Sequence, residues 1–218
     1  MRIRALLPPD AEVLDFGAGR GKFGLIDPPT IRQYTDIKPL TSRFAAFDVD
    51  EAVLENIETE DRHFSPIGRP LPFEDNSFDL IYCTWVAEHI ADPEFYVSEL
   101  ERILKPGGWF CAMTPNKWGI IGIGGRLVPN SMHVKFLKTL APQRDEIDTF
   151  PTCYKMNTRS DVSRLFKGWA NGTFYFNGDI SYHGNKLILA RFWQLVERIL
   201  PQKMSKLLAI FVQKPPAR

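Results

Sequence analysis

Cysteine is scarce: Cys83, Cys111 and Cys153 are the only three among 218 residues. An odd, widely spaced set argues against a disulfide framework. With no CxxC or HxxxH spacing, neither a structural zinc site nor another metal centre is expected. No run approaches the ~20 apolar residues of a membrane-spanning helix. The opening Met1-Arg-Ile-Arg-Ala-Leu-Leu-Pro-Pro is basic, but its apolar run is too short for a signal peptide. A cytoplasmic location is the expectation. Neither charge sign dominates: 27 Lys and Arg face 26 Asp and Glu, a net of +1. That balance argues against a reader of nucleic acid, and no nucleic-acid partner is expected. Repeats and low-complexity blocks are absent as well.

What is present suits one α/β domain. Hydrophobic residues make up 44% and charged residues 24%, ordinary values for a chain that buries a full core. Strands are expected at 11–16, 43–49, 62–67, 78–84, 109–114, 169–176 and 207–213. Helices are expected at 50–58, 92–104 and 185–200, with a fourth opening at Thr158-Arg-Ser-Asp161 and a fifth helical stretch near 131–140. Lys105-Pro-Gly-Gly108 reads as the stop of the 92–104 helix. Strands alternating with helices predict βαβ units and a parallel sheet. From 117 to 157 the chain turns rich in Gly, Pro and aromatics, and this stretch reads as a lid or insertion.

The densest information lies in Val13-Leu-Asp15-Phe-Gly17-Ala-Gly19-Arg-Gly21, where an apolar strand ends in an acid and turns through spaced glycines. Three nucleotide-type ligands use such a turn, and register separates them. A phosphate loop needs GxxxxGK followed by Ser or Thr. Here Phe16 stands five residues before Gly21 and Phe23 follows Lys22, so both positions fail. A dinucleotide fingerprint fits Gly19-Arg-Gly21-Lys-Phe-Gly24, yet that run opens four residues past Asp15 instead of directly after the strand.

The third register resembles the class I S-adenosylmethionine-dependent methyltransferases, whose first motif is an acid, one residue, then GxGxG. Three further blocks follow in the family's order. Leu71-Pro-Phe-Glu-Asp-Asn-Ser-Phe-Asp79-Leu-Ile is similar to the entry to the fourth strand in the ubiquinone-biosynthesis-type subgroup. Trp85-Val-Ala-Glu88-His89-Ile with Asp92-Pro93 is similar to the stretch after it. Leu100-Glu-Arg-Ile-Leu-Lys-Pro-Gly-Gly108 is like the turn before the fifth strand. The resemblance spans about residues 11–116. It implies a doubly wound, Rossmann-like, seven-stranded sheet, mostly parallel with one antiparallel strand, forming a single domain over 1–218 with 117–157 as substrate lid. The implied cofactor is S-adenosylmethionine and the implied reaction is methyl transfer to a small-molecule acceptor. A non-catalytic cofactor-binding relative and an NAD-dependent oxidoreductase stay as alternatives.

Residue roles follow from the resemblance. Asp15 would orient the glycine turn and help hold the methionine ammonium. Gly17, Gly19 and Gly21 would admit the cofactor to the backbone, although Gly21 could equally serve helix packing. For the ribose diol, Asp48 ends a better strand than Asp36 precedes, and is preferred. The family's adenine-contacting acid has no counterpart in Ser65-Pro-Ile67-Gly-Arg69, so Ile67 packing and backbone groups are expected there instead. Cys83 and Thr84 would offer backbone contacts, and Trp85 would pack on adenine, on substrate or into the core. His89 is a candidate general base, with a structural role as the rival. Asn116, Trp118 and His133 are acceptor-site candidates, Asn116 and Trp118 being loop anchors otherwise.

Overall fold

The computed structural model describes residues 2–21, 35–119, 123, 151–178 and 186–217. The 131–140 helix and His133 lie outside them. The central strands are apolar on both faces, the pattern of a covered parallel sheet. In β1 (Ala11–Phe16), Ala11, Val13 and Leu14 are fully buried. The other parallel strands are β2 (Thr41–Asp48), β3 (Asp61–Phe64), β4 (Phe78–Thr84) and β5 (Leu104–Pro115). Near the carboxyl terminus come β6 (Ala170–Asn171), β7 (Phe174–Phe176) and β8 (Leu207–Gln213). The order is β3-β2-β1-β4-β5-β8-β6, with β7 also on β8. Strands β1 to β5 are mutually parallel, whereas β8 runs antiparallel to β5, β6 and β7.

Eight strands thus occupy seven positions. Residues 169–176, expected as one strand, split because the chain turns in at Gly172, whose N–H donates to the Phe211 carbonyl at 2.8 Å. Asn171 Oδ1 takes the Thr173 N–H at 3.0 Å across the break.

Helix α1 (Pro93–Ile103) starts on Asp92, whose carboxylate accepts the Phe95 N–H, with Pro93 in the first turn. Its Val97, Leu100 and Ile103 are buried against the sheet face that carries Leu14, Phe47 and Phe110. Helix α2 (Arg159–Leu165), capped by Thr158, covers the same face through Val162. On the opposite face, Val13, Leu80 and Cys111 pack with Ile3, Leu6 and Leu7 of the amino-terminal segment. Helix α3 (Leu187–Ile199) precedes β8.

Two local expectations need correction. Lys105-Pro-Gly-Gly108 does not cap α1: the extended Leu104 ends the helix and already pairs with Phe78. The next partner of β4 is Trp109 opposite Leu80, so 105–108 bulge out of register. Lys105 is held there by Glu12 and Asp79, at 2.7 and 2.8 Å. The helix expected over 50–58 is a short 3-10 turn, Glu51–Glu55, capped by Asp50.

Candidate active site at the carboxyl edge of the sheet

From β1 the chain moves outward to β2 and β3, then returns to β4 on the other side of β1. Such a reversal opens a crevice at the carboxyl ends of β1 and β4. The glycine turn fills its floor. Gly17 and Ala18 both donate to the Phe47 carbonyl, at 2.8 and 3.0 Å. Gly17 adopts φ +80°, and a Cβ there would lie 2.2 Å from Val86 Cγ2. Gly19, at φ +47°, has no atom within 4 Å of where a Cβ would stand. At this glycine the backbone is open to an incoming ligand. Gly21 differs: its Cβ would meet Asn56 Oδ1 at 2.7 Å and Glu58 Cγ at 2.8 Å. On that side Gly21 packs against protein, in line with the packing reading of that residue. The dinucleotide register loses its second glycine to the same contact, since there the backbone faces protein.

The clasp on this turn is Asp48, not Asp15. Asp48 Oδ2 accepts the Gly19 N–H at 2.9 Å and Oδ1 accepts the Asp50 N–H at 3.0 Å. Asn56, buried and in no sequence pattern, donates from Nδ2 to the Gly19 carbonyl at 2.9 Å. Asp48 stands at the end of β2, whereas Asp36 lies ahead of the 3-10 turn Lys38–Leu40 that precedes that strand, its Oδ1 accepting the Lys38 N–H. Burial raises the Asp48 carboxyl above its ordinary range, against the pull of its backbone donors.

Asp15 pairs across the sheet with Tyr82 of β4, whose hydroxyl lies beside its carboxylate and favours the charged form. Burial dominates the Asp15 environment and lifts its pKa to about 7, opposed by Tyr82 and reinforced by Asp48 and Glu58. Two carboxylates thus face one crevice at a cost that a bound cation would relieve. Tyr82 escaped the sequence reading, although its register opposite Asp15 follows once β1 and β4 are paired.

After β4, the Cys83 side chain is buried in the core and its thiol pKa is pushed well up by burial, which removes it as a nucleophile. Trp85 is half-buried with a left-handed backbone, φ +61°, and its N–H donates to the Met113 carbonyl at 2.9 Å. Glu88 is buried, and its Oε2 accepts the Thr114 hydroxyl at 2.8 Å. Asn157 donates to the same Thr114 oxygen at 2.7 Å and to the Pro115 carbonyl at 2.9 Å. His89 Nδ1 donates to the Pro151 carbonyl at 3.1 Å. These bonds tie 151–157 to the ends of β4 and β5.

Asn116 follows β5 directly. It is fully buried, and its Nδ2 donates to the Lys203 and Ser205 carbonyls at 2.9 and 2.8 Å. Its Oδ1 accepts the Trp118 N–H. With its carboxamide so committed, Asn116 anchors the loop after β5, one of its two expected roles. Trp118 is 54% exposed, with Lys117 Nζ 5.9 Å from its ring centre, and does not close over the core.

Residues 14–112 match the family model of a methyltransferase domain. A probable S-adenosylmethionine-dependent methyltransferase of Mycolicibacterium smegmatis is 35% identical over 107 residues, 46% of this chain and 40% of that protein. Over residues 14–112 the chain is thus similar to methyltransferase domains. An uncharacterized methyltransferase of Bacillus subtilis, YcgJ, is 34% identical over 101 residues, 45% of this chain and 38% of that protein. The crystal structure of YcgJ superposes with a TM-score of 0.56 at 19% identity, covering 99% of this chain and 97% of that one. In sequence, the chain spans about two fifths of the length of these curated relatives.

The crevice suits S-adenosylmethionine, the methyl donor of the domains it resembles. S-adenosylmethionine carries an ammonium and a sulfonium, and the floor here offers the Asp15 and Asp48 carboxylates beside an open Gly19 backbone. No phosphate has to be held. Pro66 to Arg69 forms a turn closed by the Arg69 N–H on the Pro66 carbonyl, with Gly68 at φ +77°. Ile67 at its tip is 69% exposed. The Gly68 N–H lies near the Tyr96 hydroxyl of α1. Among the described residues, no His, Cys, Asp and Glu cluster could hold a metal ion, and no helix is long and apolar enough to cross a membrane.

Proposed function

We propose that this chain transfers the methyl group of S-adenosylmethionine to an oxygen, nitrogen or carbon of a small molecule. The observation that carries the reading is the Gly19 backbone, open at the switch point between two carboxylates. The bound cofactor supplies an activated methyl group. Asp15 would hold the ammonium, and Asp48 would accept from the ribose diol on lone pairs left after its two backbone bonds. Backbone groups of Cys83 and Thr84, the Trp85 ring and the Ile67 side chain would line the adenine and sulfonium side.

In-line displacement needs mainly proximity and alignment. We read His89 as a positioning group, through its bond to Pro151, and as the first residue to test for proton transfer. Residues 117–157, with Trp118 and His133, would supply the acceptor cover within one domain. The ubiquinone-biosynthesis-type subgroup is the closer placement we favour, on the Leu71-Pro-Phe and Glu88-His89 blocks. A ubiquinone biosynthesis O-methyltransferase of Albidiferax ferrireducens, 28% identical over 141 residues, supports it. A cytoplasmic site of action fits the sparse, unpaired thiols.

Calorimetric titration with S-adenosylhomocysteine tests the cofactor reading. Binding is expected, and no heat or shift at millimolar ligand overturns it. A screen of metabolites for a methylated product then identifies the acceptor. His89→Ala with full turnover across the pH range ends the candidacy of that residue as a base.

A further inference from the structure

Helix α3 presents an apolar stripe to solvent. Ile188, Phe192, Leu195 and Ile199 recur every three to four residues, one face of a helix. They are 82%, 54%, 56% and 72% exposed. No residue of this helix is buried. Single exposed apolar residues are ordinary, but an aligned set on one helix marks an interaction surface. The charges beside the stripe are of one sign. Between 186 and 203 the bases are Lys186, Arg191, Arg198 and Lys203, and the one acid is Glu197. Glu197 is taken up by Lys206 at 2.8 Å, an ion pair on the protein side of the helix. One turn to either side of Leu195, Arg191 and Arg198 flank the apolar stripe, where their stems can lie along it and their heads reach outward.

We infer that α3 docks this protein on an anionic lipid surface, with the stripe seated among the acyl chains and the basic residues at the headgroups. Apolar area plus basic charge on one helix, with no length to span, is the make-up of an interfacial helix. A second copy of the chain is the poorer occupant, because it would set Arg191 and Arg198 of each copy against those of the other. The placement has a consequence for the crevice. The chain leaves α3 through the 3-10 turn Gln202–Met204 into β8, whose start pairs with the end of β5. Asn116 bonds the carbonyls of Lys203 and Ser205 at that junction. The docked helix therefore joins the sheet at the edge where the glycine turn also lies.

The test is flotation of the full chain with vesicles of phosphatidylcholine alone and of phosphatidylcholine with phosphatidylglycerol. Binding to the anionic vesicles only, weakening as salt is added, is expected. The double variant Phe192→Ser, Leu195→Ser should lower partitioning by about tenfold or more, and Arg191→Gln with Arg198→Gln should act likewise. Thermal melting checks that each variant folds, and the arginine pair keeps the test open should the serine pair aggregate. Three results overturn the inference: no binding to anionic vesicles, equal binding to both kinds, or a solution dimer that Phe192→Ser dissociates.

Discussion

Gly19 and Asp48 hold each other: the glycine N–H donates to the carboxylate Oδ2 at 2.9 Å, joining the turn after β1 to the end of β2. The acid proposed to bind ribose is therefore also the clasp that shapes the floor of the crevice. Asp48→Ala should weaken S-adenosylhomocysteine binding by at least about tenfold, ~1.4 kcal/mol. Asp48→Asn keeps an acceptor for the Gly19 N–H and should recover part of the loss. Calorimetry on both variants measures this; unchanged affinity in Asp48→Ala, with Asp36→Ala damaging instead, reverses the assignment.

Asp15 makes cofactor binding depend on pH. Its folded pKa of about 7 lies above the ordinary carboxylate value, through burial first. Below that pH it is protonated, and a cationic ligand must displace the proton. Affinity should rise with pH, by up to about tenfold per unit approaching pH 7, and level off above it. The sign for folding is opposite. The native state binds the extra proton, so this group lowers stability as pH rises from the unfolded value through about 7. Asp15→Asn should flatten the binding profile and weaken binding, yet raise the thermal midpoint at neutral pH by ~2–4 °C per kcal/mol recovered. Titrations across pH and melting curves check the two arms separately.

The glycines separate packing from access. Gly17→Ala meets Val86 and a strained φ together, and should destabilise the protein by about 2–5 kcal/mol. Gly19→Ala has open space for its methyl, so its stability cost should stay near ~1–2 kcal/mol of backbone strain. Cofactor binding should nevertheless fall sharply in Gly19→Ala. Denaturant unfolding alongside ligand titration distinguishes the two.

Asn116→Ala tests the anchoring role of that residue against the acceptor-site role. It leaves the Lys203 carbonyl and the buried Ser205 carbonyl without their side-chain donor, for a loss of about 1–3 kcal/mol. Affinity for S-adenosylhomocysteine should hardly change. A variant of normal stability and impaired turnover would return Asn116 to the acceptor site.

Much of the sheet was legible because local pattern and tertiary environment agree. The apolar runs of β1, β4 and β8 and the Asp92-Pro93 start of α1 carry their own signals. Asp48 was separable from Asp36 because only one of them ends a buried strand. What escaped depends on residues distant in sequence. Asn56 clamps a turn nearly forty positions earlier, and no spacing rule marks an asparagine for that. Tyr82 becomes the partner of Asp15 only through the register of β1 on β4. Lys105-Pro-Gly-Gly108 reads locally as a helix stop, yet Leu104 is claimed by its pairing with Phe78, and the glycines form a bulge. Asn116 follows a strand at the crevice edge, but its carboxamide answers to carbonyls from residues nearly ninety positions later.

The position of β8 bears on how the protein is made. This strand follows every other described strand in sequence, yet it lies between β5 and the β6 and β7 pair. During synthesis β5 waits with a bare edge of unpaired backbone groups until the last strand emerges, and the short β6 and β7 have nothing to add to. Closure then depends on contacts of long sequence separation, the slow and aggregation-exposed kind. The loop after β5, pinned by Asn116 to the approach to β8, gains its anchor only at that final step, so assembly of the crevice edge is a late event in folding.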